Sequence, residues 1–403
     1  MKIGRKILNW LQDISEVMVT ELHRIFTDSG TILIFFVAGL GYPLLFNAIY
    51  QVENILDLPM AVVDESHCEE SHRFIHKMDA TPEVNILYEC NTMREAQELM
   101  HQRKVNGIIY FPRDYGEKLA KMEQVKIGLY CDMSSFLYYK SVFMGANFTM
   151  LDELKNIQFE RYNLAGITGE QAKELVTPVG YDDVKLFVED GGFSSFLIPA
   201  LLILVIHQTL FFGIGMLAGT AREQKKEWEI IPAQLRGKHC GRIVTGRTLA
   251  YMITYGMIVA IDLWLIPSLF KLPQCGDNLT MLLFLLPFIL STIFFSITCG
   301  TYVKSRETQL MTCVFFSIIL LFLSGFAWPT SNMPWIWRGF SFIFPAVHGI
   351  QGFIRINSMG AGLNEVGFEY GMLWLLTGVY FITACLRIRK NNIKNNKEQL
   401  NMQ

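Results

Sequence analysis

Three polar side chains interrupt long apolar runs in this 403-residue chain: His207 and Gln208 within residues 193–219, and Asp262 within residues 248–270. An acid at the centre of a membrane helix costs about 2.5–3.5 kcal/mol on insertion scales, so such a group is kept where it faces a bundle interior or an aqueous path. Two readings are open for these three residues: interhelical hydrogen bonds that fix packing, or polar walls of a translocation route. Thr209, Ser291, Thr292, Ser296 and Thr298 suit packing between helices.

No constellation for covalent chemistry accompanies them. A phosphate-cradling Walker A loop needs a glycine five residues before Gly-Lys and a Ser or Thr after it. Here Gly237-Lys238 is followed by His239, and Pro232 holds the place of the first glycine. Neither a G-x-S-x-G elbow nor an H-E-x-x-H helix occurs. His72 and His76, four apart, with Glu69 one turn earlier and His67-Cys68 alongside, have the spacing of metal ligands on one helix face. No distant ligand completes the set, so a solvated face is expected and no metal. The eight cysteines include no C-x-x-C pair; Cys68, Cys90, Cys131 and Cys275 are expected on the oxidising side, where one disulfide among them is conceivable but unassignable.

The elements that must position these residues are membrane spans. The chain is 51% hydrophobic and only 18% charged, against about 25% charged in soluble domains. Apolar windows of about 20 residues, enough to cross a ~30 Å hydrocarbon layer, occur at residues 31–50, 193–219, 248–270, 279–303, 310–328 and 367–386. The pattern predicts a polytopic α-helical membrane protein with six transmembrane helices and an α/β extracytoplasmic domain inserted between helices 1 and 2. Before the first span, Ile7, Leu11, Ile14, Met18, Leu22 and Ile25 recur at helical spacing, with Lys2, Arg5, Lys6, Asp13, Glu16 and Glu21 elsewhere. Residues 1–30 therefore read as an amphipathic helix lying on the cytoplasmic leaflet rather than a cleaved signal. Pro43 should kink the first span, and Gly39 and Gly41 would let another helix approach closely.

Residues 51–192 are of different material, with 14 Lys/Arg against 24 Asp/Glu, a net charge of −10. Strand-like runs at 59–64, 84–88, 105–111 and 125–131 alternate with helical patterns at 66–78, 92–103 and 113–122, and a long helix follows at 134–164. Capping boxes are expected at Ser66/Glu69 and Thr92/Glu95, and a last strand at 183–189. This alternation predicts an α/β domain with a largely parallel sheet.

Short-loop charge sets the topology. Residues 220–247 carry Arg222, Lys225, Lys226, Arg236, Lys238, Arg242 and Arg247, and the 304–307 turn and the tail at 388–403 are also basic. The opposite loops, 271–278 and 329–366, hold only Lys271, Arg338 and Arg355. Both termini are thus expected to be cytoplasmic and residues 51–192 outside. Within the five-helix stretch 193–387, loop 220–247 is too patterned for a linker. Its Trp228, Ile230, Ile231 and Leu235 suit a membrane-surface helix or a knob in a soluble partner's groove. Residues 329–366, rich in Trp335, Trp337 and Phe340 and broken by Pro334 and Pro345, read either as an amphipathic loop helix lying on the surface or as a partly re-entrant element beside a substrate path.

Over nearly its whole length the sequence resembles the ABC-2-type exporter permeases, in the multidrug-efflux-like branch with a large extracytoplasmic domain after the first span. The resemblance is carried by the N-terminal helix, the stretches at 58–64 and 105–112, the Arg222-Glu223 pair, and Ser324-Gly325, Pro329, Met333-Pro334, Pro345 and Arg355. In that family the 220–247 loop usually continues with Gly-Thr before a Glu-rich turn; here Glu227-Trp228-Glu229 and Pro232 stand instead. The resemblance implies a non-enzymatic permease of the cell inner membrane that moves a small amphiphilic, drug-like or lipid-like substrate outward. It implies two separate ABC ATPase subunits holding ATP and Mg, no cofactor on this chain, and a second copy or a sister permease as dimer partner. A periplasmic membrane-fusion adaptor is a further candidate partner, and no nucleic acid is. Coupling to the ATPase would fall to Arg222, Glu223, Trp228, Ile230, Ile231 and Leu235, and the outer gate to Gly325, Pro329, Met333, Pro334 and Pro345. His207, Gln208 and Asp262 are the candidate path residues. The alternative is a non-transporting scaffold or receptor whose outer domain binds a ligand or partner.

Overall fold

The computed structural model describes residues 2–50, 54–180, 184, 186, 187, 192–225, 230–236 and 239–400, with the backbone alone at 2–7, 233 and 394–400. The chain divides into two compact units, Asn54–Val184 and the remainder.

The larger unit is a helical bundle. Among the described residues six helices are long and apolar enough to cross a membrane: Ser29–Ile49, Phe193–Glu223, Cys240–Phe270, Asn278–Gly300, Arg306–Leu323 and Gly367–Ile393. The second and fourth spans form its centre, with most of their residues buried, whereas the fifth is largely exposed. Glycines on the second span set how closely its neighbours approach. A Cβ at Gly213 would lie 1.9 Å from the Phe35 ring of the first span, and one at Gly215 would lie 2.1 Å from the Gln309 side chain of the fifth. Gly39 packs against Ile258 of the third span, while Gly41 has nothing within 4 Å, so only the first of this pair is a contact point. The first span carries a π-helical stretch, Leu33–Ala38, ahead of Pro43, and the third carries another, Ile261–Leu265, which contains Asp262. Such π segments displace side chains from regular helical register.

The N-terminal helix Lys2–Thr27 differs in one respect from a freely floating amphipathic helix. Ile14, Val17, Glu21 and Ile25 are buried and Leu8, Leu11, Val19 and Phe26 are exposed, and the helix packs along the third span. Charge is thereby placed inside: Asp13 pairs with Arg242, and Glu21 with Arg24 and Arg247.

After the fifth span the chain makes two short helices, Trp335–Ser341 and Pro345–Met359. The first exposes Trp335, Ile336 and Trp337. The second is buried along much of its length, at Ala346, Val347, Ile350, Phe353 and Ile356, and packs on the second and fourth spans. At about 1.5 Å per residue its 15 residues reach only ~22 Å, too short to cross. Pro345–Met359 is thus covered by protein, whereas Trp335–Ser341 is largely exposed.

The smaller unit holds a four-stranded sheet in the order β2-β1-β3-β4, with β1 Leu58–Asp64, β2 Val84–Cys90, β3 Gly107–Phe111 and β4 Gly128–Cys131. β1 pairs in parallel with β2 and β3, and β4 runs antiparallel to β3. Because strand side chains alternate, Met60 and Val62 face one core with Phe74, Met78 and Val142, while Ala61 and Val63 face another with Ala96 and Val105. Helices Glu69–Asp79 and Phe136–Leu164 contribute to the first core, and Met93–His101 to the second. Thr92 caps Met93–His101 as expected, accepting from Glu95 N at 3.3 Å. Ser66 does not cap its helix: the cap is Cys68, whose Sγ accepts from Ser71 N at 3.4 Å, because Ser66 is held by Asp64. The strand expected at 183–189 falls largely outside the described residues, and Val184, Leu186 and Phe187 are not in a strand.

Candidate functional site

The residues expected to meet an ATPase lie where the second span ends. That span continues through Glu223, so Arg222 and Glu223 occupy its last turn rather than a separate loop helix. Both are used inside the protein. Arg222 Nη2 donates to Thr301 O, just past the end of the fourth span, at 3.0 Å. Glu223 Oε1 accepts from the backbone N–H of Arg306, the first residue of the fifth span, at 2.8 Å. A carboxylate there satisfies an orphan donor at the positive end of the helix. Gly219 makes the approach possible, since a Cβ would come within 2.9 Å of the Ser305–Arg306 backbone. The last turn of the second span is thus clamped onto the turn between the fourth and fifth.

Asp28, between the N-terminal helix and the first span, joins the same cluster. Its carboxylate pairs with Arg306 and accepts from Thr220 Oγ1 at 3.2 Å, and Arg306 Nε donates to Thr220 at 2.6 Å. Deeper, Glu21 accepts from Tyr251 and Arg24. Burial works against the Glu21 charge, but Arg24, Arg247 and the Tyr251 hydroxyl together hold its carboxyl below the usual range.

Two of the loop's four expected coupling apolar residues turn inward. Ile231 and Leu235 are buried, at 7% and 1% exposure, in the core of the bundle. Arg236 Nε closes the turn by donating to Ile231 O at 3.0 Å. Between Glu223 and Cys240 the only regular element among the described residues is a 3₁₀ turn, Ala233–Leu235. Ile230 is half-buried, and Trp228 lies outside the described residues. Hydrophobicity alone cannot separate a side chain turned to a partner from one turned to its own core, which is why the sequence offered all four residues together.

The polar span residues do not converge. His207 is fully buried against Phe211 and Phe295, with ring centroids 6.4 and 6.0 Å away. Gln208 turns toward the fifth span, where its Oε1 lies 3.6 Å from Cys313 Sγ. Asp262, 1% exposed, belongs to the π segment beside the first span. Among the described residues neither His207 nitrogen and neither Asp262 oxygen has a hydrogen-bond partner. Thr209, Ser291, Ser296 and Thr298 bond to carbonyls of their own helices, and Thr298 also reaches Thr383 of the sixth span at 3.2 Å.

Of the residues expected at an outer gate, Gly325 lies beside Gln351 of the buried short helix and Pro345 begins that helix. Gly325 has φ +79°, a conformation glycine alone adopts freely, and turns the chain out of the fifth span. Gln351, which the sequence pattern does not single out, donates to Ser324 O at 3.0 Å across this turn. Pro345 starts the buried helix, where a proline loses no helical hydrogen bond. Arg355 ties its far end to Glu369 Oε1 at 3.1 Å and to Glu365 O at 2.6 Å. Pro329 and Pro334 are exposed and Met333 is half-buried. His72, His76 and Glu69 are exposed on their helix; among the described residues no group of three or more His, Cys, Asp or Glu is arranged to hold a metal ion. The cysteines are free thiols.

A family model described as ABC-2 family transporter protein matches residues 29–386. The chain belongs to the ABC-2 transporter family. The match runs from the start of the first span into the sixth and includes the smaller α/β unit. No curated protein matches the chain. As an ABC-2 permease with six apolar helices it is a multi-pass membrane protein, the membrane subunit of an ABC transporter, and a partner of ABC ATPase subunits.

Proposed function

We propose that this ABC-2 permease is half of an ATP-driven exporter that moves a small amphiphilic, drug-like or lipid-like molecule outward across the inner membrane, as a dimer with itself or a sister permease. The observation that carries this reading is the clamp of Arg222 and Glu223 onto the turn between the fourth and fifth spans. Force applied to the loop after Glu223 by an ATPase closing on ATP and Mg reaches three spans at once, and reaches the N-terminal helix through Asp28 and Arg306. Basic loops support a cytoplasmic position for this end and for both termini. On that topology the acidic α/β unit is extracytoplasmic, available to an adaptor, and the short helix Pro345–Met359 forms the outer gate. His207, Gln208 and Asp262 are its candidate path residues.

The test is co-purification under gentle extraction. An ATPase should accompany the wild type and be lost on Trp228→Ala at unchanged thermal stability. Glu223→Lys should lower recovery and stability together, because it also breaks the clamp. Consistent failure to recover any ATPase with the wild type would favour a scaffold whose α/β unit binds a ligand.

A further inference from the structure

The chain between Gly325 and Pro345 is fixed to the bundle at its ends and bare between them. Of residues 326–344 only Ser341 and Phe344 are buried, and Trp328, Trp335, Ile336, Trp337 and Phe340 are exposed. Near the start, Phe326 stacks on Phe196 of the second span at a centroid distance of 4.8 Å. At the tip, the Phe344 ring lies 6.1 Å from Phe295 of the fourth span and 5.8 Å from Phe316 of the fifth. Phe316 precedes the end of the fifth span, Leu323, by about 10 Å of helix, so the chain has come back into the bundle to that depth. Tyr380 Oη of the sixth span donates to Ile343 O at 2.6 Å. Among the described residues this is the one hydrogen bond from 326–344 to any of the six spans. A carbonyl left without a donor at membrane depth is costly, which gives a single hydroxyl control of the tip. The Tyr380 ring also packs edge-on against Phe295 at 5.2 Å. One turn on, Thr383 Oγ1 lies 3.2 Å from Thr298 Oγ1 of the fourth span, itself one turn before Thr301, whose carbonyl belongs to the clamp.

We propose that Tyr380 and Phe344 latch residues 326–344 shut as a strap, and that its release frees the N-terminal end of Pro345–Met359 to open. Packing that served stability alone would bury the strap along its length, whereas its middle is exposed and its tip is held by one ring and one hydroxyl. Gly325 and Gly360, both left-handed at φ +79° and +67°, bound the strap and the short helix together. The latch occupies the turn of the sixth span that also meets Thr298, so a shift of the fourth span at the clamp reaches the strap through one pair of hydroxyls. The gating role rests on the exporter reading; the latch itself does not.

The experiment compares the full-length wild type, Tyr380→Phe and Phe344→Leu, by hydrogen exchange in nanodiscs and by leakage of an amphiphilic dye from proteoliposomes without an ATPase. Tyr380→Phe keeps the ring against Phe295 and removes only the donor. Exchange of the amides at 335–344 should rise about fivefold, the scale of one hydrogen bond, while the amides at 202–211 of the second span and the melting temperature stay unchanged. Phe344→Leu, which keeps the hydrogen bond and shrinks the anchor, should act in the same direction. Dye leakage should rise with strap exchange. No rise in the strap with either variant, or a rise spread equally over the fourth and sixth spans, overturns the latch. Faster strap exchange at unchanged leakage overturns its gating role. Neither readout involves an ATPase, so failure here is distinct from failure of the exporter reading, which co-purification tests.

Discussion

Asp28 and Arg306 form an ion pair across 278 positions of sequence, joining the entrance of the first span to the start of the fifth. The Asp28 carboxylate is largely buried and also caps the first span by accepting from Thr31 N at 2.8 Å. Removing either partner leaves the other short of hydrogen bonds in a partly buried site, a costlier event than losing an exposed pair. Asp28→Asn and Arg306→Gln should each lower the melting temperature. Their double mutant should fall well short of additivity, by about 1 kcal/mol or more. Additive losses in the thermal unfolding of the four proteins would mean that the two residues act independently.

Gly213 lets a neighbouring side chain approach more closely than any other described glycine does. Its absent side chain leaves room for Phe35, whose ring also packs edge-on against Tyr255 at a centroid distance of 4.9 Å. Gly213→Ala forces the ring or the first span to move, and overpacking of this kind typically costs about 1–3 kcal/mol. Phe35→Leu in the same chain should recover part of the loss, because a smaller, flexible side chain can vacate the space. Equal melting temperatures for wild type and Gly213→Ala would show that the first span is not held against the second as described.

The six spans were legible because twenty-residue apolar windows admit few alternatives, and β1, β2 and β3 because short aliphatic runs alternate with helical ones. The clamp was not legible. Arg222 and Glu223 were recognised as a pair, but nothing local says that one reaches Thr301 and the other Arg306, some eighty positions away. Ile231 and Leu235 stand among charges, a pattern that suits a membrane surface or a partner's groove equally, and the fold buries both. Ser66 lost its capping role to Cys68 because Asp64 competes for its hydroxyl. Gln351 carried no local signal: a single glutamine in an apolar segment becomes informative only once its carbonyl partner is known.

Asp64, at the end of β1, makes the α/β unit sensitive to acid. Its Oδ2 accepts from Ser71 Oγ at 2.6 Å, and its Oδ1 accepts from Ser66 N and Oγ at 2.9 and 2.7 Å and from His67 N at 3.1 Å. Burial pushes against its charge, but these donors, led by Ser71 and Ser66, hold the carboxyl below its ordinary value. A depressed folded pKa gives stability that is fully present above the unfolded value near ~3.9 and disappears as pH falls through the folded value. Asp64→Asn should therefore be less stable than wild type at neutral pH, by about 1–2 kcal/mol, and the gap should close in acid. Hydrogen exchange at the β1 amides of the full-length protein, compared between the two at each pH, measures the gap. A difference that stays constant down to strong acid would refute the ionised role.

Asp262 sets packing against passage. An enclosed carboxylate without a protein partner among the described residues destabilises a bundle, so a residue present only for packing gains nothing from its charge. Asparagine has nearly the same shape and removes that charge. Asp262→Asn should leave abundance and melting temperature unchanged or slightly raised. If Asp262 lines the route, export of an amphiphilic dye from cells should nonetheless fall severalfold. Parallel loss of export and abundance would instead make Asp262 a packing residue, held by a partner that forms only in the assembled transporter. Unchanged export at unchanged abundance would remove it from the path altogether, leaving His207 and Gln208 on the second span as the polar groups to examine by the same comparison.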